Sequence, residues 1–338
     1  MNEPPQPPKR VTLATLAHHA QVHVSTVSRA LGPDPSGISP ETANRVRELA
    51  LALGYSRDIG AAGLRTGSSH LIGVLVPRLT DTVLAAIYGS IDEAASRAGY
   101  DTVVANTLDD PAQRRSRLDA MLSRRIDGVI IADSHLGDTT AYELGARGIP
   151  YVLVMRKLQG HASVGIDDEL GGRLAAEHLL DLGHRRIAVI AGDPTVSTGI
   201  ERTRGFLAAC AEAGFPVAPE LVVTTAGFDV GGGLAAATRL MALPDSPTAI
   251  FTVHDLLAFG AMGAIRNAGK RLGTDVGLVG YNDMDLAATL PTPLTSVRSE
   301  LDEMGRLSIG MLLQQLAGGN PESVLLPPRL IVRQTTVP

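Results

Sequence analysis

Residues 24 to 31 read Val24-Ser25-Thr26-Val27-Ser28-Arg29-Ala30-Leu31. Wound as a helix, the segment places Val27, Ala30 and Leu31 on one side and Val24, Ser25, Ser28 and Arg29 on the other. Small hydroxyls and one guanidinium on an outward face suit a DNA major groove. A hydroxyl bonds phosphates or base edges, and a guanidinium reaches both acceptors of guanine at once. A solvated surface helix can carry the same residues, so the flanking elements decide between the two.

Upstream, Leu13, Leu16, Ala17 and Ala20 recur at helical spacing, and Thr12 precedes them as a cap for the first amides. Only Gln21, Val22 and His23 separate the two helices, a gap that forces a helix–turn–helix with the second helix as the probe. A third helix follows, with Ser39 as cap, Pro40 in its first turn and Gly54 at its end. Its apolar positions are Val46, Leu49, Ala50 and Leu53. The spacing predicts a three-helix headpiece over residues 11–55, after a disordered tail over 1–10.

Val11-Thr12-Leu13, the 24–31 segment, Ile38-Ser39-Pro40-Glu41-Thr42 and Leu53-Gly54-Tyr55 together resemble the lactose/galactose repressor (LacI/GalR) family in order and spacing. The resemblance implies that Val24, Ser25 and Arg29 are the main base readers. Thr26 and Ser28 then bind phosphates or brace the helix, and Thr12 and His23 belong to the same DNA-facing set. For Val24, core packing and contact with a thymine methyl both stay open. The turn departs from the family, which usually has glycine and serine where this chain has Gln21 and His23. Residues 56–68 correspond to the family's hinge, which folds on the operator and wedges a leucine into the minor groove. Leu64 sits at the wedge position and Ala61 before it. Arg57, Asp58 and Ala62 replace the family's proline, asparagine and arginine, and Gly60 and Gly63 weaken a helix, so a plain linker remains the other reading.

The chain has 338 residues, 44% of them hydrophobic, enough for a large core in two or three folding units. Its formal net charge of −5 argues against a general nucleic-acid coat. The charge is uneven: residues 1–70 carry seven Lys/Arg against five Asp/Glu, +2, which leaves −7 for the remainder. A weakly basic head on an acidic body fits a sequence-specific binder. A lone Cys210 excludes an intrachain disulfide and is expected as a buried thiol. No apolar run is long enough for a membrane span, and the proline-rich start is unlike a signal peptide, so a cytoplasmic protein is expected.

From Leu71 onward short apolar runs alternate with helical patterns, and the series restarts at Arg186. Two such series predict two doubly wound parallel-sheet lobes. Gly165-Ile166-Asp167-Asp168, Leu182-Gly183-His184-Arg185-Arg186, Val279-Gly280-Tyr281-Asn282-Asp283 and Pro293-Leu294-Thr295-Ser296-Val297 resemble the family's periplasmic-binding-protein-like α/β core. The resemblance implies three crossings between lobes, near 157–164, 291–297 and 320–325. Within a core over 69–338, lobe one then takes about 71–160 and 295–322, and lobe two about 163–292 and 323–338.

Ligands of such sheets bind beyond the strands' carboxyl ends, here between the lobes. By resemblance the effector residues are Arg202, Phe228, His254 and Asn282. Asn282 stands where the family usually has aspartate, and His254-Asp255 where it has Asn-Asp; Asp255 is expected to cap the next helix. The family's aromatic platform after strand one is replaced by Arg78-Leu79-Thr80-Asp81. An Arg78–Arg202 pair favours an anion, so the ligand class stays open between a sugar, a sugar phosphate and a carboxylate. No nucleophile–base arrangement, phosphate loop or metal-ligand spacing is present, so no catalytic residue, metal or cofactor is expected. The expected protein is a ligand-responsive repressor that binds a palindromic operator as a homodimer or higher oligomer. A regulator with a degenerate effector site and a solute-binding receptor are the other readings.

Overall fold

A computed structural model describes residues 11–32, 36–55 and 68–336. The tail over 1–10 and the hinge positions Ala61 and Leu64 lie outside the described residues. The chain divides into two compact units, Met1–Ser69 and His70–Pro338.

The first unit holds α1 (Leu13–Ala20), α2 (Val24–Ala30) and α3 (Pro40–Ala52). Thr12 and Thr15 form a reciprocal capping box on α1, and Ser39 Oγ accepts from Thr42 N–H at 3.3 Å to start α3. Leu16, Val27, Ala30 and Val46 are buried together between the helices. Arg45 closes the unit by donating to the Ala20 carbonyl at 3.1 Å.

In the second unit, lobe one contains β1 (Leu71–Val76), α4 (Thr82–Arg97), β2 (Asp101–Asn106), α5 (Pro111–Ser123), β3 (Gly128–Ile131), α6 (Thr140–Ala146), β4 (Tyr151–Val154) and β5 (Ser163–Ile166). Lobe two follows with α7 (Asp168–Asp181), β6 (Ile187–Ala191), α8 (Ser197–Glu212), β7 (Val222–Thr224), α9 (Val230–Met241), β8 (Ala249–Thr252), α10 (Asp255–Asn267), β9 (Gly277–Asn282), α11 (Asp285–Thr289) and β10 (Thr295–Arg298). The chain then returns to lobe one for α12 (Leu301–Leu316) and β11 (Val324–Leu326), and ends on lobe two as β12 (Arg329–Ile331). The sheet orders are β11-β5-β4-β3-β1-β2 and β12-β10-β9-β8-β6-β7. All described strand pairs are parallel except β10–β12.

This sheet assignment corrects the expected lobe boundaries. Ser163–Ile166 pairs with β4 and so closes lobe one rather than opening lobe two. Thr295–Arg298 pairs with β9 and belongs to lobe two, whereas Val324–Leu326 pairs with β5 and belongs to lobe one. The crossings therefore fall at about residues 167, 299–300 and 327–328. Each follows the strand before it, because a strand leaves its sheet only after its ladder is complete.

Lobe two is tightened by glycines where its helices cross. A Cβ on Gly172 would stand 2.0 Å from the Arg202 carbonyl, and one on Gly205 would stand 1.9 Å from that of Glu169. The same device joins α9 and α10, where Gly233 meets Leu257 O and Gly260 meets Val230 O. These contacts are to backbone, which cannot swing aside. By contrast, Gly89 lies exposed within α4 with open space at its Cβ. Gly172→Ala is therefore expected to lower stability by about 2–3 kcal/mol through overpacking. Gly89→Ala is expected to raise it by up to about 1 kcal/mol through helix propensity. Urea unfolding of the two variants checks both signs.

Candidate functional sites: an exposed helix and an inter-lobe cleft

The headpiece site is the outward face of α2. His23 caps the helix by its ring: Nδ1 accepts from Ser25 N–H at 3.3 Å and lies 2.8 Å from Ser25 Oγ. Val24 is 40% exposed, so it is not a core residue of the headpiece. Ser25 and Arg29 are exposed beside it, while Thr26 and Ser28 are half-buried. Thr12 is exposed but already engaged with Thr15. Val24, Ser25 and Arg29 thus share one accessible face, as the sequence pattern requires.

In the core, loops after the carboxyl ends of strands from both lobes enclose a cavity of about 150 Å³. Lobe one contributes Arg78, Thr80 and Asp81 after β1, Asp109 after β2, and Met155 and Arg156 after β4. Lobe two contributes Thr198 and Arg202 from α8, Phe228 and Asp229 before α9, and His254 and Leu256 after β8. Both sheets have the 2-1-3-4-5 order of a doubly wound fold, and the cavity sits where that topology places ligands.

Of the expected effector residues, Arg78, Arg202, Phe228 and His254 line this cavity. Asn282 does not: it is buried, with its Oδ1 accepting from Ser299 Oγ at 3.1 Å. Asp81, Asp109, Arg156 and Asp229 line it without having been singled out from the sequence. Each follows a strand end, and that position was the signal available for finding them. Phe228 is half-buried, and its ring fills space that a Cβ on Gly192 would occupy.

Arg202 departs from its expected role. It is buried, its Nε bonds Asp168 Oδ1 at 2.8 Å, and its Nη1 donates to the Val253 carbonyl at 2.8 Å. Its guanidinium lies 3.8 Å from the centre of the Tyr281 ring. Burial works against its charge, but Asp168 and Tyr281 together more than offset it and raise the guanidinium above its ordinary range. The expected Arg78–Arg202 attraction for an anion is therefore corrected, because Asp168 already neutralises Arg202. Around the cavity three arginines (78, 156, 202) face three aspartates (81, 109, 229).

The lobes also meet through polar contacts beside the cavity. His254 Nε2 of lobe two approaches Asp81 Oδ2 of lobe one at 3.4 Å. Burial would raise the Asp81 carboxyl, but His254, Val83 N–H and Arg156 together hold it below its ordinary range. His135 bonds Asp109 through Nε2 and Thr195 of lobe two through Nδ1, each at 2.9 Å. Lys157 N donates to Ser197 Oγ at 2.9 Å, and its ammonium pairs with Glu201. His254 caps α10 through Nδ1, which corrects the expectation that Asp255 would do so. Asp255 is instead buried, accepting from Ser296 Oγ at 2.7 Å and Met284 N–H at 2.8 Å.

Two variants follow from these buried groups. Arg202→Ala strips the buried Asp168 of its 2.8 Å partner and leaves it only the Lys157 ammonium at 3.6 Å, an expected loss of about 3 kcal/mol. A wild-type urea midpoint would contradict that role. Asp255 gives a pH dependence. Burial raises it from 3.8 to about 6 against the opposing bonds from Ser296 and Met284. Between those values the folded state holds a proton that the unfolded state has released, so this group's contribution falls as pH rises from about 4 to about 6. Subtracting the stability of Asp255→Asn from that of the wild type should isolate a downward slope over that window, of about 3 kcal/mol at most.

A periplasmic binding protein-like domain matches residues 176–336. The HTH-type transcriptional regulator DegA of Bacillus subtilis is 30% identical over 97% of this chain and 99% of its own. A solved structure of the Lac repressor dimer bound to operator and the anti-inducer ONPF aligns with TM-score 0.88 at 27% identity, covering 98% of this chain and all of that one. The regulator CelR in complex with cellobiose aligns with TM-score 0.73 at 30% identity, covering 96% of this chain and all of that one. With the exposed recognition-type helix, the two doubly wound lobes and this full-length similarity in place, the chain belongs to the LacI/GalR family of helix-turn-helix transcriptional regulators.

Proposed function

We propose that the chain is a repressor that binds an inverted-repeat operator as a homodimer, and that a small, neutral, hydroxyl-rich effector in the inter-lobe cleft sets its operator affinity. The observation that carries the effector class is the balanced lining, three arginines against three aspartates, with Asp168 behind Arg202. An anion gains no net attraction there. Hydroxyl groups, which both donate and accept, can bond carboxylates and guanidinium groups alike. Phe228 offers a ring face for stacking. The cavity of about 150 Å³ is smaller than the roughly 300–1,000 Å³ of drug-sized sites, which suits a small metabolite. The related regulator solved with cellobiose supports a sugar.

On the DNA side, one headpiece reads only a few base pairs, so two copies are needed for a usable site. The effector touches both lobes and so acts by its differential affinity for their arrangements. The test is a thermal-shift screen of neutral sugars, sugar phosphates and carboxylates, followed by operator titration with each hit. A neutral sugar at a hundred times its Kd should add about 2.7 kcal/mol of stability and change operator affinity. Hits confined to anions would refute the charge argument, and a hit without effect on operator binding would refute the effector role.

A further inference from the structure

A free serine hydroxyl can donate to a base or accept from one, and so discriminates poorly. Ser25 is not free. Its Oγ lies 2.8 Å from His23 Nδ1, and its backbone N–H approaches the same nitrogen at 3.3 Å. A backbone N–H can only donate. A proton on Nδ1 would set two hydrogens against each other across that gap, so Nδ1 presents its lone pair and the ring proton is on Nε2. The Ser25 hydroxyl hydrogen then points at Nδ1, over the shorter of the two approaches. Only the oxygen lone pairs remain for a partner outside the helix. The neighbouring Arg29 guanidinium does not disturb this, because its Nε is directed to the Ser25 carbonyl, at 3.5 Å.

Resting on the reading of α2 as the operator-binding helix, we propose that Ser25 acts toward DNA only as a hydrogen-bond acceptor and so selects a major-groove amino group, adenine N6 or cytosine N4, with His23 as the positioning residue that fixes this polarity. Guanine O6 and thymine O4 are acceptors themselves and are refused by the same oxygen. His23 Nε2–H remains a donor on the exposed side of the ring, where it suits a phosphate oxygen.

The test begins with the full-length protein selecting its operator from random duplexes. Failure to enrich any sequence would overturn the DNA-binding reading itself, before any variant is made. On the selected operator, amino groups are deleted one at a time, with 2-aminopurine for adenine and 2-pyrimidinone for cytosine, and keto oxygens are deleted in a parallel set. One amino deletion should weaken wild-type binding roughly 2- to 13-fold, the worth of a single neutral hydrogen bond. Ser25→Ala should lose as much on the intact operator and nothing more on that deleted one. His23→Ala should lose the amino requirement at that position while keeping Arg29-dependent binding. His23→Asn, whose Oδ1 can take the place of Nδ1, should restore it, which a purely structural role for the ring would not require. The proposal is overturned if the Ser25-dependent loss follows a keto oxygen, if it is equal on all DNA sequences, or if His23→Asn lacks the amino requirement while it melts as the wild type does.

Discussion

The ion pair between Asp168 and Arg202 ties lobe two to the point where the chain enters it. Both side chains are almost wholly buried, so each charge depends on the other at 2.8 Å. That distance requires α7 and α8 to approach closer than side chains allow. Gly172 and Gly205 permit it by removing the Cβ atoms that would strike the facing carbonyls. Arg202 then reaches the Val253 carbonyl and covers the Tyr281 ring, which links the two helices to the middle of the sheet. Lobe one meets the same pair through Lys157, whose ammonium lies 3.6 Å from Asp168 Oδ2 and also bonds the Ile166 carbonyl. Asp168 follows directly on the first crossing between lobes, so a change of lobe angle has this pair as a fixed reference.

The cleft built on that reference is polar but internally balanced. Asp109 is held by Arg156 and His135, Asp81 by His254, and Arg202 by Asp168. A ligand entering here exchanges bonds with these groups rather than neutralising a stranded charge. Several of those bonds join the lobes: His254 to Asp81, His135 to Thr195 and Lys157 to Glu201. Occupying the cleft therefore competes with, or adds to, the contacts that hold the lobes at their present angle. This is a physical route by which a small molecule can alter the core.

The alternating series of the core was legible in the sequence because its central strands are continuous apolar runs buried on both faces. The crossings were less so. β5, β10, β11 and β12 are three or four residues long, and their sheet is decided by which strand they pair with, which periodicity cannot show; β11 pairs with β5 across 160 residues, Val324 against Val164. The effector residues divide in the same way. Phe228 and His254 were placed by the family resemblance, and both follow strands that the pattern reveals. Arg202 was legible as a position but not as a role, because nothing in its local sequence reveals that Asp168 lies against it. Asn282 was drawn to the cleft by its strand-end position, but its side chain turns to Ser299 instead.

The headpiece shows how a departure from a family pattern can preserve the geometry while changing the chemistry. Gln21 takes a left-handed conformation, φ 52 and ψ 40, that glycine adopts without strain and that costs another residue about 1 kcal/mol. Its N–H, bonded back to the last turn of α1, helps to hold it there. His23 stands where a hydroxyl is usual, and an imidazole nitrogen does what that hydroxyl would do for the first amides of α2. A hydroxyl can rotate to donate or accept, whereas a ring nitrogen that caps an amide has its role fixed by that amide. The substitution therefore keeps the turn but fixes the polarity of its neighbour, Ser25, on the face that is presented outward. For this chain, what α2 can read depends on the turn before it as much as on the residues it displays.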